Sequence, residues 1–207
     1  MATEGGGRQP HHRRVVDPLR EAESHEGAGM FVRPLRRRGV QRLSRELWGE
    51  GRSIWSADIE ERSLVVDQVH VTEEAAPERI ARVLDLAPGD AVCVRNRRYV
   101  LDGKPVLLAT SFLPAALVAG SAVTREDPGP GGIYARLEEL GFGPVHFREE
   151  VRSRMPSQDE TRRLSLSPGR PVMLIGRSAF AATGRPVEVN EMTLDSASYV
   201  LEYDFDA

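Results

Sequence analysis

The residues with the clearest chemical potential sit on one predicted strand. On the first strand after the Pro88-Gly89 turn, within the stretch Leu84 to Pro114, the side chains of Arg95, Arg97 and Tyr99 share a face by period two. A guanidinium fork there suits a phosphate or carboxylate. The same arginines could equally serve a solvated sheet face, or an ion pair with Glu188 or Glu191. Glu191 follows Asn190 in a second predicted strand, VEVNEMTL, where an interior carboxylate needs a partner. A third concentration of charge is Arg33, Arg36, Arg37, Arg38, Arg42 and Arg45, crowded into one short segment that could touch phosphates or stay a solvated linker.

Other chemistries find little support. The 5 His have no ligand spacing, and the adjacent His11 and His12 read as a polar tail, so no metal is expected. The single cysteine, Cys93, excludes an intramolecular disulfide and a Cys-based metal cluster, which fits a reducing cytoplasm. No glycine loop resembles a phosphate-binding P-loop, and no Ser/His/Asp set stands out, so neither cofactor nor catalysis is expected. A net charge of -3 argues against a general polyanion binder. No apolar run reaches the ~18 residues of a membrane span, and the N-terminus lacks a signal-peptide core. The reading is a soluble, cytoplasmic protein with no membrane partner.

What must position these side chains is a repeat. Leu84, Leu86, Pro88, Gly89, Val92 and Arg97 are answered by Leu164, Leu166, Pro168, Gly169, Val172 and Arg177. After a one-residue slip, Gly103, Pro105 and Val106 are answered by Gly184, Pro186 and Val187. Two copies are too few for a solenoid, so they read as two pseudo-equivalent halves of one domain. Each half has an apolar lead-in, a Pro-Gly turn and two strands joined by a tight polar turn, Asp102-Gly103 or Thr183-Gly184, hence antiparallel pairing.

The other elements follow in chain order. The first residues, to about Arg14, have nothing to bury and are expected to be disordered. Val15 to Glu26 could form a short helix, and Gly27 to Val32 a glycine turn and strand. Val40 to Trp48 reads as a short helix in a linker, and Leu64 to Val71 as an imperfect strand. Pro77 suits the first turn of a helix containing Ile80, Val83 and Leu84. Its counterpart starts at Ser157 with a capping-box Glu160. Between the halves, Gly131 to Gly141 reads as a helix, Phe147 to Met155 as a strand, and Tyr199 to Phe205 as a half-buried strand. The fold class is α+β: an antiparallel sheet of about six strands with short helices on one face.

The order PERIA, DGKPV, SFLP, a glycine-led helix ending LEELG, and PVEVNE resembles the UTRA effector-binding domain of the HutC subfamily of GntR transcriptional regulators, a fold related to chorismate lyase. Gly27 to Val32, GAGMFV, resembles the wing strand that closes the family's winged helix-turn-helix. The divisions implied are 1–26, a disordered or residual tail; 27–65, a wing remnant and basic linker; and 66–207, the effector-binding and dimerisation domain. The resemblance implies a homodimeric sensor of a small-molecule, anionic effector that alters operator DNA binding, and not an enzyme.

It also implies ligand-binding roles for Arg97, Tyr99, Ser111, Arg154, Glu191 and Tyr199, and weak DNA contact by Arg33, Arg36 and Arg37. The family's second pocket arginine is read as Tyr99 here, an acidic residue before SFLP as Ala109 or Thr110, and a helix-leading serine as Gly132. These departures favour a flatter or more apolar ligand than a phosphorylated polyol. Ahead of Gly27 there is no room for the three helices of a DNA-reading head, implying a truncated or mis-started frame, or a lost module. The alternatives are a chorismate-lyase-like enzyme using Arg97 and Glu191 as anion anchor and acid, and a truncated regulator acting by heterodimerisation.

Overall fold

The computed structural model describes residues 64–201 in full and the strands at 22–25, 28–32 and 36–38 as backbone. The expected N-terminal tail, the Val40–Trp48 helix, Arg33 and the last residues of the C-terminal strand lie outside the described residues. The chain divides into two compact units, Met1–Leu35 and Arg36–Ala207. In the first, β1 (Ala22–His25) pairs antiparallel with β2 (Ala28–Val32). The expected strand at Gly27 to Val32 is therefore present. Of the helix expected across Val15 to Glu26, the described part, Ala22–His25, is a strand instead, with Glu23 opposite Phe31; the rest lies outside the described residues.

In the second unit β3 (Arg36–Arg38), from the segment read as linker, pairs parallel with β10 (Tyr199–Leu201). The body is a six-stranded antiparallel sheet of β4 (Leu64–Ala75), β5 (Ala91–Leu101), β6 (Lys104–Pro114), β7 (Pro144–Arg154), β8 (Val172–Ala181) and β9 (Pro186–Asp195). Their order across the sheet is β4-β5-β6-β9-β8-β7. The two repeat copies thus lie side by side, each with its hairpin inward, and meet where β6 pairs with β9. The hairpin turn at Asp102 and Gly103 takes φ of 50° and 77°, the left-handed pair that a tight antiparallel turn requires.

The repeat extends to the helices. α1 (Glu78–Leu84) follows β4, and α4 (Gln158–Leu164) follows β7. Both end on a left-handed non-glycine residue, Asp85 and Ser165, with the next leucine N–H returning to the helix: Leu86 to Ala81 at 2.9 Å, Leu166 to Thr161 at 3.0 Å. This Schellman-type closure turns Leu86 and Leu166 back toward the sheet. Ile80 and Leu84 pack with Val92, Val94, Phe112 and Val189; Leu164 and Leu166 pack with Leu108 and Val172. All six strand residues fall on one face of the sheet by period two.

The opposite face is covered as well, so helices lie on both faces rather than one. The link between halves crosses it as α2 (Ala115–Val118), a 3₁₀ turn (Ala122–Thr124) and α3 (Gly132–Glu139). Leu117, Val118, Val123, Tyr134 and Leu137 from this link close over Ala109, Leu107, Ile175, Ala179 and Met192, forming the largest core. Among the described residues no helix is long and apolar enough to cross a membrane, and no group of three or more His, Cys, Asp or Glu could hold a metal.

Candidate functional site

Between the link and the sheet lies a cavity of about 560 Å³, within the usual range for small-molecule sites. Beneath it the register writes a polar row straight across the sheet, Arg95 opposite Ser111, Ser111 opposite Asn190, Asn190 opposite Arg177, Arg177 opposite Glu149; of these Arg95, Asn190 and Arg177 line the cavity. Arg97 and Tyr99 continue the same face of β5, and Glu188 the same face of β9. Val66 and Val69 form one apolar wall, and Pro128 to Ile133 the roof. In that roof Gly129 has φ of 84°, and an added Cβ would come within 3.1 Å of the Arg136 guanidinium, so glycine lets the loop lie close.

Each charged group has a distinct setting. Arg95, 1% exposed, donates to the backbone carbonyls of Val123 and Arg125, and to that of Glu126 at 2.9 Å. It is the clasp that fixes the link to the sheet. Burial, helped by the neighbouring charge of Arg97, pulls it down to about 10, still cationic at neutral pH. Arg177 is equally buried and donates from Nε to Glu149 at 2.9 Å, with Nη2 at 2.8 Å from the same oxygen. Burial opposes its charge, but Tyr134 and Glu149 outweigh that and raise its pKa. The Tyr134 hydroxyl donates to Glu188 Oε2 at 2.6 Å; burial first, and then the Glu188 carboxylate, push its own pKa well up.

Arg97 differs. It is 8% exposed and donates through Nη2 to the Ser111 hydroxyl at 2.5 Å, while its Nε has no partner. Glu188 Oε1 and Asn190 Oδ1 are likewise buried without partners. Arg95 Nε is a fourth; native interiors leave few such groups, so four around one cavity single it out as the candidate site.

The structure brings together three of the six residues expected to bind ligand and separates the rest. Arg97 and Tyr99 line the cavity, and Ser111 lies beneath Arg97. Glu191 is next to Met192, which shares the face of Arg97 through Ala109, so Glu191 points to the other side of the sheet. There it forms an ion pair with Arg79 of α1. The enzyme reading that joins Arg97 to Glu191 is corrected accordingly: successive residues of β9 face opposite sides of the sheet, so Asn190 faces the cavity and Glu191 does not. Arg154 lies at the far end of β7, in a bidentate pair with Glu160 at 2.7 Å. Tyr199 is buried in the core rather than in the cavity wall. Arg36 and Arg37 lie in β3, beside β10.

Arg177, Glu188, Asn190 and Tyr134 were not among the expected site residues. The signal for Arg177 was present as the repeat mate of Arg97, and period two places Glu188 and Asn190 on one face. Tyr134 gave none, because the path of the link is not a local property. Arg95, two residues before Arg97, lies on the same face and also lines the cavity.

Comparison with known proteins fits this architecture. An HTH-type transcriptional regulator of Mycobacterium tuberculosis is 29% identical over 203 residues, covering 89% of this chain and 72% of that protein. An uncharacterised HTH-type transcriptional regulator of Streptomyces coelicolor is 27% identical over 198 residues, covering 86% of this chain and 71% of that one. In fold, PhnF from Mycobacterium smegmatis superposes with a TM-score of 0.73 at 21% identity, over 90% of this chain and 78% of PhnF. The C-terminal domain of the histidine utilization repressor of Pseudomonas syringae pv. tomato gives 0.59 at 23% identity, over 70% of this chain and 100% of that domain. The family model of the UTRA domain matches residues 61–199, the whole of the six-stranded sheet and its helices, and the chain belongs to the UTRA domain family.

Proposed function

We propose that this chain is the small-molecule-sensing, dimerising part of a GntR-type regulator of the HutC subfamily, with an anionic effector held in the cavity by Arg97. The observation that carries the reading is that guanidinium: buried, facing about 560 Å³ of space, and with its Nε unmet. An unpaired buried cation is costly, and an incoming carboxylate or phosphate offsets that cost. The likeness to HTH-type transcriptional regulators supports this reading.

The cavity draws its floor from both repeat halves and its roof from the link between them. A ligand filling it therefore touches three parts that could shift against one another. Switching further requires that the ligand prefer one arrangement of the dimer, since equal affinity for both moves nothing. The Arg95 clasp makes roof and floor one hydrogen-bonded unit, so a change in roof position is a change in β5 contacts.

The test is a thermal-shift screen of carboxylates and phosphates on the full chain, with light scattering for its mass. A ligand present at one hundred times its Kd adds about 2.7 kcal/mol of stability. The reading expects a dimer, at least one stabilising anion, and loss of that stabilisation in Arg97→Ala. A monomer that no anion stabilises overturns it.

A further inference from the structure

The cavity holds two opposite unmet demands. On the β5 side the demand is for an acceptor, at Arg97. On the β9 side it is for a donor. Glu188 is 0% exposed, and Tyr134 satisfies Oε2 but leaves Oε1 bare; Asn190, 4% exposed, leaves Oδ1 bare as well. The donors beside Glu188 and Asn190 are committed elsewhere: Arg177 is engaged by Glu149, the Arg95 Nη groups by three link carbonyls, and the one hydroxyl proton of Tyr134 by Oε2. Arg95 Nε is unmet, as Arg97 Nε is, and adds to the demand for an acceptor on the β5 side. A plain anion seated on Arg97 would answer the first demand and bring a second acceptor toward the carboxylate.

We propose, on the basis of the effector-pocket reading above, that the cavity takes an amphoteric ligand. Its carboxylate or similar anion meets Arg97, and a protonated amine or comparable N–H donor meets Glu188 and Asn190. The register sets the spacing. Arg97 reaches Ser111, and Ser111 stands opposite Asn190, so the anion seat and the first acceptor are one strand apart, about 5 Å. Glu188 is two residues along β9, about 7 Å beyond Asn190. The ligand's opposite ends are thus separated by a short spacer. Val66, Val69 and Ile133 supply apolar surface for that spacer.

Calorimetric titration of the full chain with two matched trios tests this. One is 4-aminobutyrate, butyrate and butylamine; the other is 4-(aminomethyl)benzoate, 4-methylbenzoate and 4-methylbenzylamine. In at least one trio the amphoteric member should bind tenfold or more tightly than either singly charged member. Glu188→Gln should remove that advantage while changing the anion's affinity less than twofold. Should Glu188→Gln fail to fold, Asn190→Leu should reduce the same advantage severalfold. If anion and amphoteric members bind equally in both trios, or a lone amine binds best, the amphoteric proposal is overturned; anion binding that is lost in Arg97→Ala leaves the effector pocket standing. If none of the six binds, the amphoteric proposal is overturned, and the screen of carboxylates and phosphates decides the effector pocket separately.

Discussion

The two halves of the sheet carry the same arginine eighty residues apart and treat it in opposite ways. Arg177 is closed off by Glu149 from the neighbouring edge strand. At the repeat position of Glu149 the first half has Val69, and β4 breaks register there, between Asp67 and His70, with Gln68 at φ of 49°. Arg97 therefore looks past its edge strand into the cavity. The repeat presents two equivalent cationic positions; a carboxylate closes one, and a bulge with a valine leaves the other open. Bulges commonly re-aim side chains beside functional sites in this way.

The largest test of that contrast removes Glu149. In Glu149→Ala the buried Arg177 loses its counter-charge, and such a loss costs about 3–5 kcal/mol. Urea unfolding should show this as a large fall in midpoint at unchanged slope. Arg97→Met should instead change stability by no more than about 1 kcal/mol, since it exchanges an underused cation for an apolar chain. Similar losses in the two variants would mean that Arg97 is as structural as Arg177.

The complementary change rebuilds the missing partner. Val69→Glu places a carboxylate at the wall of the cavity, at the repeat position of Glu149. It should lower the affinity for any anion bound at Arg97 at least tenfold, a loss of about 1.4 kcal/mol. The protein should remain folded by circular dichroism. Unchanged affinity would place the anion seat elsewhere.

Legibility from sequence divides along the same line. The repeat, the hairpin turns, the capping box at Ser157 and the helix from Gly131 are local patterns of period and turn chemistry, and the sheet has them. Pro77 was read as the first helical residue and is the cap itself, a one-residue difference. The site was half legible. Arg97, Tyr99 and Ser111 follow from period two on a hairpin, but which face of β9 meets that hairpin depends on the register between halves. That register sends Asn190 and Glu188 to the cavity and Glu191 to α1. The link that roofs the cavity has helices too short to announce a path.

A smaller contrast concerns helix starts. α4 opens with a full capping box: Ser157 accepts from the Glu160 N–H at 3.2 Å, and Glu160 accepts from the Ser157 N–H at 2.8 Å. α1 opens on Pro77 with no side-chain cap. Ser157→Ala should cost about 1 kcal/mol. Pro77→Ala removes only the proline's restriction of the unfolded chain, about 0.4–1 kcal/mol. Urea midpoints of the two variants measure both costs, and an unchanged midpoint in Ser157→Ala would mean that the capping box contributes nothing.

The last contrast is in acid. The second half ties the end of β7 to α4 through Arg154 and Glu160; the repeat positions in the first half are Glu74 and Ile80, which cannot form such a pair. The Arg154 hydrogen bonds, overcoming burial and aided by Ser157, hold Glu160 down to about 2, from an ordinary value of 4.5. A depressed folded-state pKa contributes stability that is fully present above the unfolded value and is lost as pH falls through the folded one. The contribution should therefore be whole at pH 6 and fade between about pH 4.5 and 2. With the Arg154 side chain 45% exposed, solvent screening limits the pair to about 1 kcal/mol or less. Arg154→Ala should be less stable than the parent at pH 6, and the gap should narrow as the pH is taken below 3. A gap that stays constant with pH would assign the effect of Arg154 to its packing and its bond to the Met155 carbonyl, and not to the charge on Glu160.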